Sequence, residues 1–425
     1  MIKKLPERIY QQFPALQYKN YRLYFFGQLI SFTGSWLHGV AHGWLVYQLT
    51  QSPFWLGAVS AISALPVLVL SLYGGFLVDR FDRKKLLIAT QTASLILAFI
   101  LGILTITHLI TLPLLLLLTF LAGIANAIDN PVTQAFVVDV VGKEDLPSAV
   151  GLNSTLFNTG RVLGPAAAGF LIALVGVGNI FLINAASFLA ILISLYFIKV
   201  HTQMNNQKDE KLTHAIKEGI TYSYSHPVIR VLLMTAGIGA IFCFSQATIL
   251  PVLAEKVFHE GTEGLGILLS ATGTGALVGS LIISAWFKKI QAATFIIVGN
   301  LLFLLSSLAF TFTNNLQLAS FCLFFSGLGL TIQFSSVYSA IQRLVKEEFR
   351  GRVSSIYVLL FIGFSPLGNL FVGSTATWFG PQLAIRLCII IASFYGIVTL
   401  VRLPKVKKKY QSYHKRVKPE YAFTK

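Results

Sequence analysis

Long apolar runs alternate with short polar breaks along almost the whole chain. Twelve such runs are legible, at 23–49, 55–78, 86–108, 111–140, 149–175, 178–198, 230–254, 264–287, 291–313, 316–342, 352–379 and 381–402. Each is long enough to cross a bilayer as a helix, for which about 20 apolar residues suffice. The fifth, seventh and eleventh carry several Ser, Thr, Asn, Gln or Gly residues, so their pattern is weaker. Many of the breaks are only a few residues long, which makes sequence neighbours antiparallel in space. The pattern predicts an all-α integral membrane protein with twelve transmembrane helices.

Composition agrees. Of the 425 residues, 55% are hydrophobic and only 12% charged, against about 25% charged in an ordinary soluble domain. The formal charge of +17 raises the possibility of nucleic acid, but its distribution argues against that. With the N-terminus taken as cytoplasmic, 29 of the 33 Lys and Arg residues fall on the cytoplasmic side, and Lys256 alone lies outside. That asymmetry is the positive-inside pattern of a multi-pass protein with both termini cytoplasmic. The basic tail Lys405–Lys418 has two readings, contact with anionic lipid or plain retention of topology. The first 22 residues hold Lys3, Lys4 and Arg8 without an apolar core, so the first span is expected to stay as an uncleaved anchor. Cys243, Cys322 and Cys388 all fall in spans and read as small buried apolar residues. No cofactor or metal is expected. A G-x-x-x-x-G-K-[ST] loop is missing from the sequence, which argues against a self-contained ATP-driven pump. His108 and His201 are isolated and on opposite sides, so an embedded enzyme is disfavoured.

Six runs precede a polar stretch and six follow. The expected organisation is a first six-helix half at 1–198, a cytoplasmic linker at 199–229, a second half at 230–402 and a basic tail at 403–425. The halves resemble each other weakly. Lys143-Glu144-Asp145-Leu146 parallels Lys346-Glu347-Glu348-Phe349, with Pro165 and Pro366 following in the next runs. In the linker, Leu212, Ile216, Ile220 and Tyr224 recur at helical spacing, which predicts an interfacial amphipathic helix.

Three local patterns resemble the major facilitator superfamily, and within it a bacterial exporter branch that includes the enterobactin exporter and drug–proton antiporters. The first is Gly75-x-x-x-Asp79-Arg80-x-Asp82-Arg83-Lys84-Lys85, similar to the loop between helices 2 and 3, with Asp82 where many members carry Gly. The second is Gly151-x8-Gly160-x3-Gly164-Pro165-x2-Ala168-Gly169, similar to the antiporter signature of helix 5 with Ala168 in place of a Gly. The third is Asp129-Asn130-Pro131-x-x-Gln134 with Glu144-Asp145-Leu146-Pro147, and with Glu218-Gly219 and His226-Pro227 in the linker. Relatives often carry Arg where this chain has Thr133. The resemblance implies the major facilitator fold of two six-helix halves that rock about a central cavity. It also implies a latch in which Gly75 permits close approach and Asp79 accepts hydrogen bonds from the start of helix 11 near Val353, where the helix dipole favours a carboxylate. Arg83 is expected to pair with Asp139. The bland reading of the same cluster is topology alone.

The fourth run carries a polar stripe. Asn126, Asp129, Asn130 and Thr133 lie at i, i+3, i+4 and i+7, on one helix face. Pro131 frees the carbonyl of Ala127, and free backbone groups at membrane depth line polar cavities. Asp129 is the only carboxylate deep in a span and Arg161 the only deep base. Counted at 1.5 Å per residue, they lie roughly 16 and 18 Å from the cytoplasmic ends of adjacent helices. Each alone costs about 2.5–3.5 kcal/mol or more at that depth, so pairing is favoured. One reading makes them a proton-coupled switch; the other makes them a static pair. In the first run Gly27, Ser31, Gly34, Ser35, His38 and His42 share a face. The histidines either line a substrate cavity or pack near the outer interface. Thr235, Phe242 and Gln246 on the seventh run, and Thr331, Ser335, Tyr338 and Gln342 on the tenth, recur at similar spacing. They read as cavity wall or as interhelix packing. Gly160, Gly164 and Ala168, with Gly275 and Gly279 on the eighth run, suit close packing between the halves.

The function expected is proton-motive-force-driven efflux of a small amphiphilic molecule, siderophore- or drug-like, by a monomer in the bacterial inner membrane. The alternative with the same fold is a facilitator or importer of a metabolite or lysophospholipid.

Overall fold

A computed structural model describes residues 10, 12–142, 144–200, 212–286 and 292–396. Among these, every regular element is helical. The order is α1 Lys19–Thr50, α2 Pro53–Arg80, α3 Arg83–Ile106, α4 Leu112–Val141, α5 Leu146–Val175, α6 Val177–Phe197, α7 Leu212–Ser225, α8 Pro227–Phe242, α9 Leu250–Lys256, α10 Gly261–Trp286, α11 Ala292–Phe310, α12 Leu316–Leu344, α13 Glu347–Val358 and α14 Phe364–Phe379. A last helix, α15, covers Pro381–Gly396. Nine stretches among the described residues are long and apolar enough to cross a membrane. Helix α1 is long but studded with Gln28, Ser31, Ser35, His38 and His42, and so misses that standard. The apolar part of α5, Leu163–Val175, and α15 are shorter apolar helices. Large apolar side chains such as Phe99, Leu117, Ile193, Leu305, Phe321, Ile390 and Phe394 are exposed, as helices surrounded by lipid require.

Two of the expected continuous spans are interrupted. The seventh run breaks after α8 into a 3₁₀ turn at Ser245–Ile249 and then α9. Pro251 lies just inside α9; it has no N–H to give and disfavours α geometry in the residue before it. Gln246 therefore sits on the turn and not on the helical stripe expected from Thr235 and Phe242. The eleventh run contains a π-turn at Leu359–Gly363 between α13 and α14.

By contacts the chain separates into two units. Unit 1 is Met1–Gln207 with Leu250–Gly273, and unit 2 is Lys208–Ile249 with Thr274–Lys425. The core of unit 1 is built on Tyr21, Tyr24, Val132, Phe136, Ile191 and Leu195. That of unit 2 is built on Leu232, Ala236, Phe303, Phe334, Val337 and Tyr357.

Both units hold a cytoplasm-predicted loop with a segment that precedes their first long helix. In unit 1 the turn Pro14–Gln17 and its neighbour Tyr18 grip the α4–α5 loop. Gln17 Nε2 and the Tyr18 hydroxyl donate to Asp145 Oδ2 at 2.9 and 2.8 Å, and Ala15 N–H donates to Ser148 Oγ at 3.2 Å. In unit 2, α7 does the equivalent at the α12–α13 loop. Glu218 pairs with Arg352 at 2.6 Å, Tyr222 stacks on Phe349 with centroids 4.2 Å apart, and Lys346 N–H donates to the Tyr222 hydroxyl at 3.3 Å. Ile220 and Tyr224, two members of the apolar stripe expected on this helix, stay exposed. The side chains of Leu212 and Ile216 lie outside the described residues.

Candidate functional site

The basic loop between α2 and α3 divides into distinct contacts. Asp82 is the N-cap of α3 and accepts from Lys85 N–H at 3.1 Å; a carboxylate there satisfies one of the free amides of the first turn. The departure from the superfamily's Gly thus has a local function. Lys84 Nζ donates to the Ile198 carbonyl at 2.7 Å, covering the end of α6, where a cation suits the dipole. Lys84, expected to serve topology, is in addition a helix cap. Arg83 donates to Asp139 Oδ1 at 2.5 Å, with both side chains largely buried, and its Nε donates to the Val78 carbonyl at 3.4 Å. The expected pair therefore forms and ties the end of α2 to the end of α4. The side chains of Asp79 and of residues 71–77, Gly75 among them, lie outside the described ones.

Asp129 lies on α4, twelve residues before its C-terminal Val141. Its Oδ1 accepts from the Thr90 hydroxyl at 2.6 Å and from Gln91 Nε2 at 2.9 Å. Its Oδ2 meets the Thr133 hydroxyl, one turn along α4, at 3.4 Å. Thr90 and Gln91 come from α3 and are each 6% exposed. Among the described residues the Gln91 Oε1 is buried without a hydrogen-bond partner. Of the positions in the stripe expected on α4, Thr133 meets Asp129, and the closer donors come from α3. Nothing in the spacing of α3 marks Thr90 and Gln91 out; the only signal is the polar triplet Thr90-Gln91-Thr92 in an apolar run. The side chain of Arg161 lies outside the described residues. Asn130 is exposed.

A cavity of about 290 Å³ opens within unit 1 among α1, α2, α3, α4 and α6. Ser35, His38 and His42 line it from α1, Ser63 from α2, Ser94 from α3, Thr119 and Asn126 from α4 and Asn184 from α6. The two histidine rings stack with centroids 5.8 Å apart. His42 Nε2 lies 2.9 Å from the Thr119 hydroxyl. His38 packs on Phe181 at 4.8 Å, and its Nδ1 is buried with no partner among the described residues. The face expected on the first run therefore splits. Ser35, His38 and His42 reach the cavity, whereas Gly27 and Gly34 are pressed against Ser194 and Ser187 of α6. Among the described residues no acid or base other than the histidines lines this space; those residues offer hydrogen bonds without a fixed countercharge.

The glycines of the α5 signature also divide. A Cβ at Gly160 would lie 2.5 Å from Trp36 Cδ1, and one at Gly164 would overlap Trp36 Cβ. These two positions seat a tryptophan of α1. Gly169 instead meets Gly266, whose Cα would be 2.7 Å from an added Cβ; that is a backbone-to-backbone crossing within unit 1. Pro165 is inside α5, and Gly151 has open space around it. Gly275 and Gly279, expected to face α5, are occupied by the backbone of α12 at Phe324 and Leu328. In unit 2, Gln246 is 5% exposed and donates to the Ser326 hydroxyl at 2.9 Å. Ser335 is half-buried, and the exposed Tyr338 lies 4.9 Å from the Tyr357 ring. A small cavity there, about 20 Å³, is lined by Thr235, Asn300 and Gln333 but by none of Gln246, Ser335 and Tyr338.

Residues 11–424 match the transmembrane secretion effector family. The chain is 28% identical over 364 residues to the staphyloferrin A transporter of Staphylococcus aureus (strain NCTC 8325 / PS 47), covering 84% of this chain and 90% of that one. It is 24% identical over 369 residues to macrolide efflux protein A of Streptococcus pyogenes, covering 83% and 89%. Its fold is similar to the crystal structure of a bacterial homologue of the human lysosomal transporter Spinster, with a TM-score of 0.70, 14% identity and coverage of 96% and 99%. The chain belongs to the transmembrane secretion effector family of the major facilitator superfamily, and it is a multi-pass membrane transporter, not an enzyme.

Proposed function

We propose that this transporter exports a small amphiphilic molecule, siderophore- or drug-like, and is driven by the proton-motive force. The observation that carries the reading is Asp129, a carboxylate held in mid-helix by Thr90, Gln91 and Thr133 on the same face as Asn126, which lines the polar cavity of unit 1. An intramembrane carboxylate that lines or neighbours a polar cavity is the usual station of a transported proton. One proton crossing 100 mV supplies about 2.3 kcal/mol. The relative from S. aureus is named for a siderophore and that from S. pyogenes for macrolide efflux, which supports a siderophore- or drug-like substrate.

In this reading α1, α5 and α15 complete twelve spans with the nine apolar stretches, in two six-helix halves at 1–198 and 230–402. The linker 199–229, the tail 403–425 and both termini are cytoplasmic, and a monomer sits in the bacterial cytoplasmic membrane. Alternating access proceeds by rocking of the halves. Gly75 and Asp79 close one side, with the Arg83–Asp139 pair holding the end of the helix that carries them. His38, His42, Asn126 and Asn130, with Gln246, Ser335 and Tyr338 of the second half, contact substrate. Arg161 balances Asp129 in the proton-free state.

The test is transport by the purified protein in liposomes, with Asp129→Asn beside the wild type and a proton-sensitive dye in the lumen. The expected outcome is loss of proton movement coupled to substrate in the variant. Substrate flux without any proton movement in the wild type would identify a facilitator instead.

A further inference from the structure

The carboxylate of Asp129 is gripped unevenly. Oδ1 receives two donors from α3, Thr90 Oγ1 at 2.6 Å and Gln91 Nε2 at 2.9 Å. Among the described residues Oδ2 meets only the Thr133 hydroxyl, at 3.4 Å, beyond the normal range of an O–H···O bond. A protonated acid is not symmetric either. Its carbonyl oxygen only accepts, whereas its hydroxyl oxygen carries a hydrogen that needs an acceptor.

Placing the proton on Oδ1 would aim it at the Thr90 oxygen. Thr90 would then have to turn its own hydrogen to the Leu87 carbonyl, 3.1 Å away, and Gln91 would be left donating to a poor acceptor. Placing it on Oδ2 disturbs neither bond. Oδ1 becomes the carbonyl, Thr90 and Gln91 keep donating to it, and the new hydrogen points to the side of Thr133. Thr90 and Gln91 are both buried, so a broken bond there would not be replaced by water and would cost its full desolvation penalty.

We propose that Thr90 and Gln91 are positioning residues that lock Oδ1 of Asp129 to α3 in both protonation states and leave Oδ2 as the oxygen that exchanges the proton, facing Thr133. The proposal rests on the reading of Asp129 as a proton carrier and adds which oxygen carries it and what fixes the choice. The step is a simple transfer. A proton from the aqueous side forms the Oδ2–H bond on arrival, and that bond breaks on release; no other covalent bond changes. A titratable group that packs against α4 is Tyr24 of α1, buried, with its ring centroid 5.8 Å from that of Phe136. Among the described side chains, α3 sets no charged group against the carboxyl. On α5 the sequence places Arg161 at similar depth, with its side chain outside the described residues.

Infrared difference spectroscopy on the purified full-length protein in liposomes, between alkaline and acid buffer, tests this without a substrate. The protonated Asp129 carboxyl is the band that appears on acidification and is missing in Asp129→Asn. Its C=O stretch reports the donors on the carbonyl oxygen. With Oδ1 as carbonyl, Thr90→Val and Gln91→Met each move the band to higher wavenumber, Thr90→Ser restores the wild-type position, and Thr133→Val leaves it in place. A band that moves with Thr133→Val and not with Thr90→Val or Gln91→Met puts the proton on Oδ1 and overturns the assignment. Absence of any Asp129-dependent band removes the proton carrier itself, a failure of the functional reading that is distinct from a wrong oxygen. Gln91→Met and Thr90→Val are read independently, so a variant that does not assemble leaves the other to decide.

Discussion

Arg83 and Asp139 show what a single pair of side chains contributes. Both are largely withdrawn from solvent and 2.5 Å apart, and the second carboxylate oxygen of Asp139 is buried without a partner among the described residues. A pair of this kind depends on both members, because removing one leaves a charge with poor solvation. In a double-mutant cycle of Arg83→Gln and Asp139→Asn, thermal unfolding of the detergent-solubilised protein should reveal a coupling of about 1.5–3 kcal/mol, the range for hydrogen bonds to charged groups. Additive losses would mean the two residues act separately. The pair was legible beforehand, since an acidic and a basic residue sit at helix ends predicted to lie on the same side. The Thr90 and Gln91 contacts to Asp129 were not. They depend on the rotation of α3 about its own axis, which apolar composition leaves open.

Helix ends and crossings supply the next set of outcomes. Asp82 caps α3, so Asp82→Ala should lower stability by about 1 kcal/mol while Asp82→Gly, the common superfamily residue, should cost only a few tenths. Equal losses in a thermal unfolding series would show that the cap bond is not what holds the turn. At the α1–α5 crossing, Gly164 leaves space for Trp36. Gly164→Leu overpacks this site and should destabilise by about 1–3 kcal/mol, and Trp36→Ala in the same chain should recover part of the loss. If the second change recovers nothing, the tryptophan is not what the glycine accommodates. The antiporter-like spacing made the small residues conspicuous in the sequence, but not which helix each one meets. Gly160 and Gly164 serve a side chain of α1 and Gly169 serves the backbone at Gly266, although all three lie along one helix.

Across the whole molecule, the same device recurs in both units. A short segment ahead of the first long helix grips the junction after α4 in unit 1 and after α12 in unit 2: Gln17 and Tyr18 on Asp145, and Glu218 and Tyr222 on Arg352 and Phe349. The weak repeat between Lys143–Leu146 and Lys346–Phe349 is therefore a repeat of anchoring sites. Tyr222→Ala removes the stacking partner of Phe349 and the acceptor for Lys346 N–H. Hydrogen exchange should show faster exchange of the α7 amides in that variant, with the α8 amides unchanged. Unchanged α7 exchange would mean that the Tyr222 contacts are not what holds the linker helix.

The sequence by itself determined the membrane class, the approximate limits of the apolar helices and the family. These depend on composition and on short motifs, which are properties of consecutive residues. It also marked Asp129, because a carboxylate inside an apolar run is costly wherever the run packs. Only the tertiary structure decided that α3 supplies the donors to Asp129, that the α1 face divides between a cavity and α6, and that Gln246 leaves its helical stripe at the 3₁₀ turn before α9. In each case the deciding quantity is the rotation or local break of one helix relative to another. That is set by how large and small side chains interlock across the interface, and a period of 3.6 residues along one helix carries no record of its neighbour.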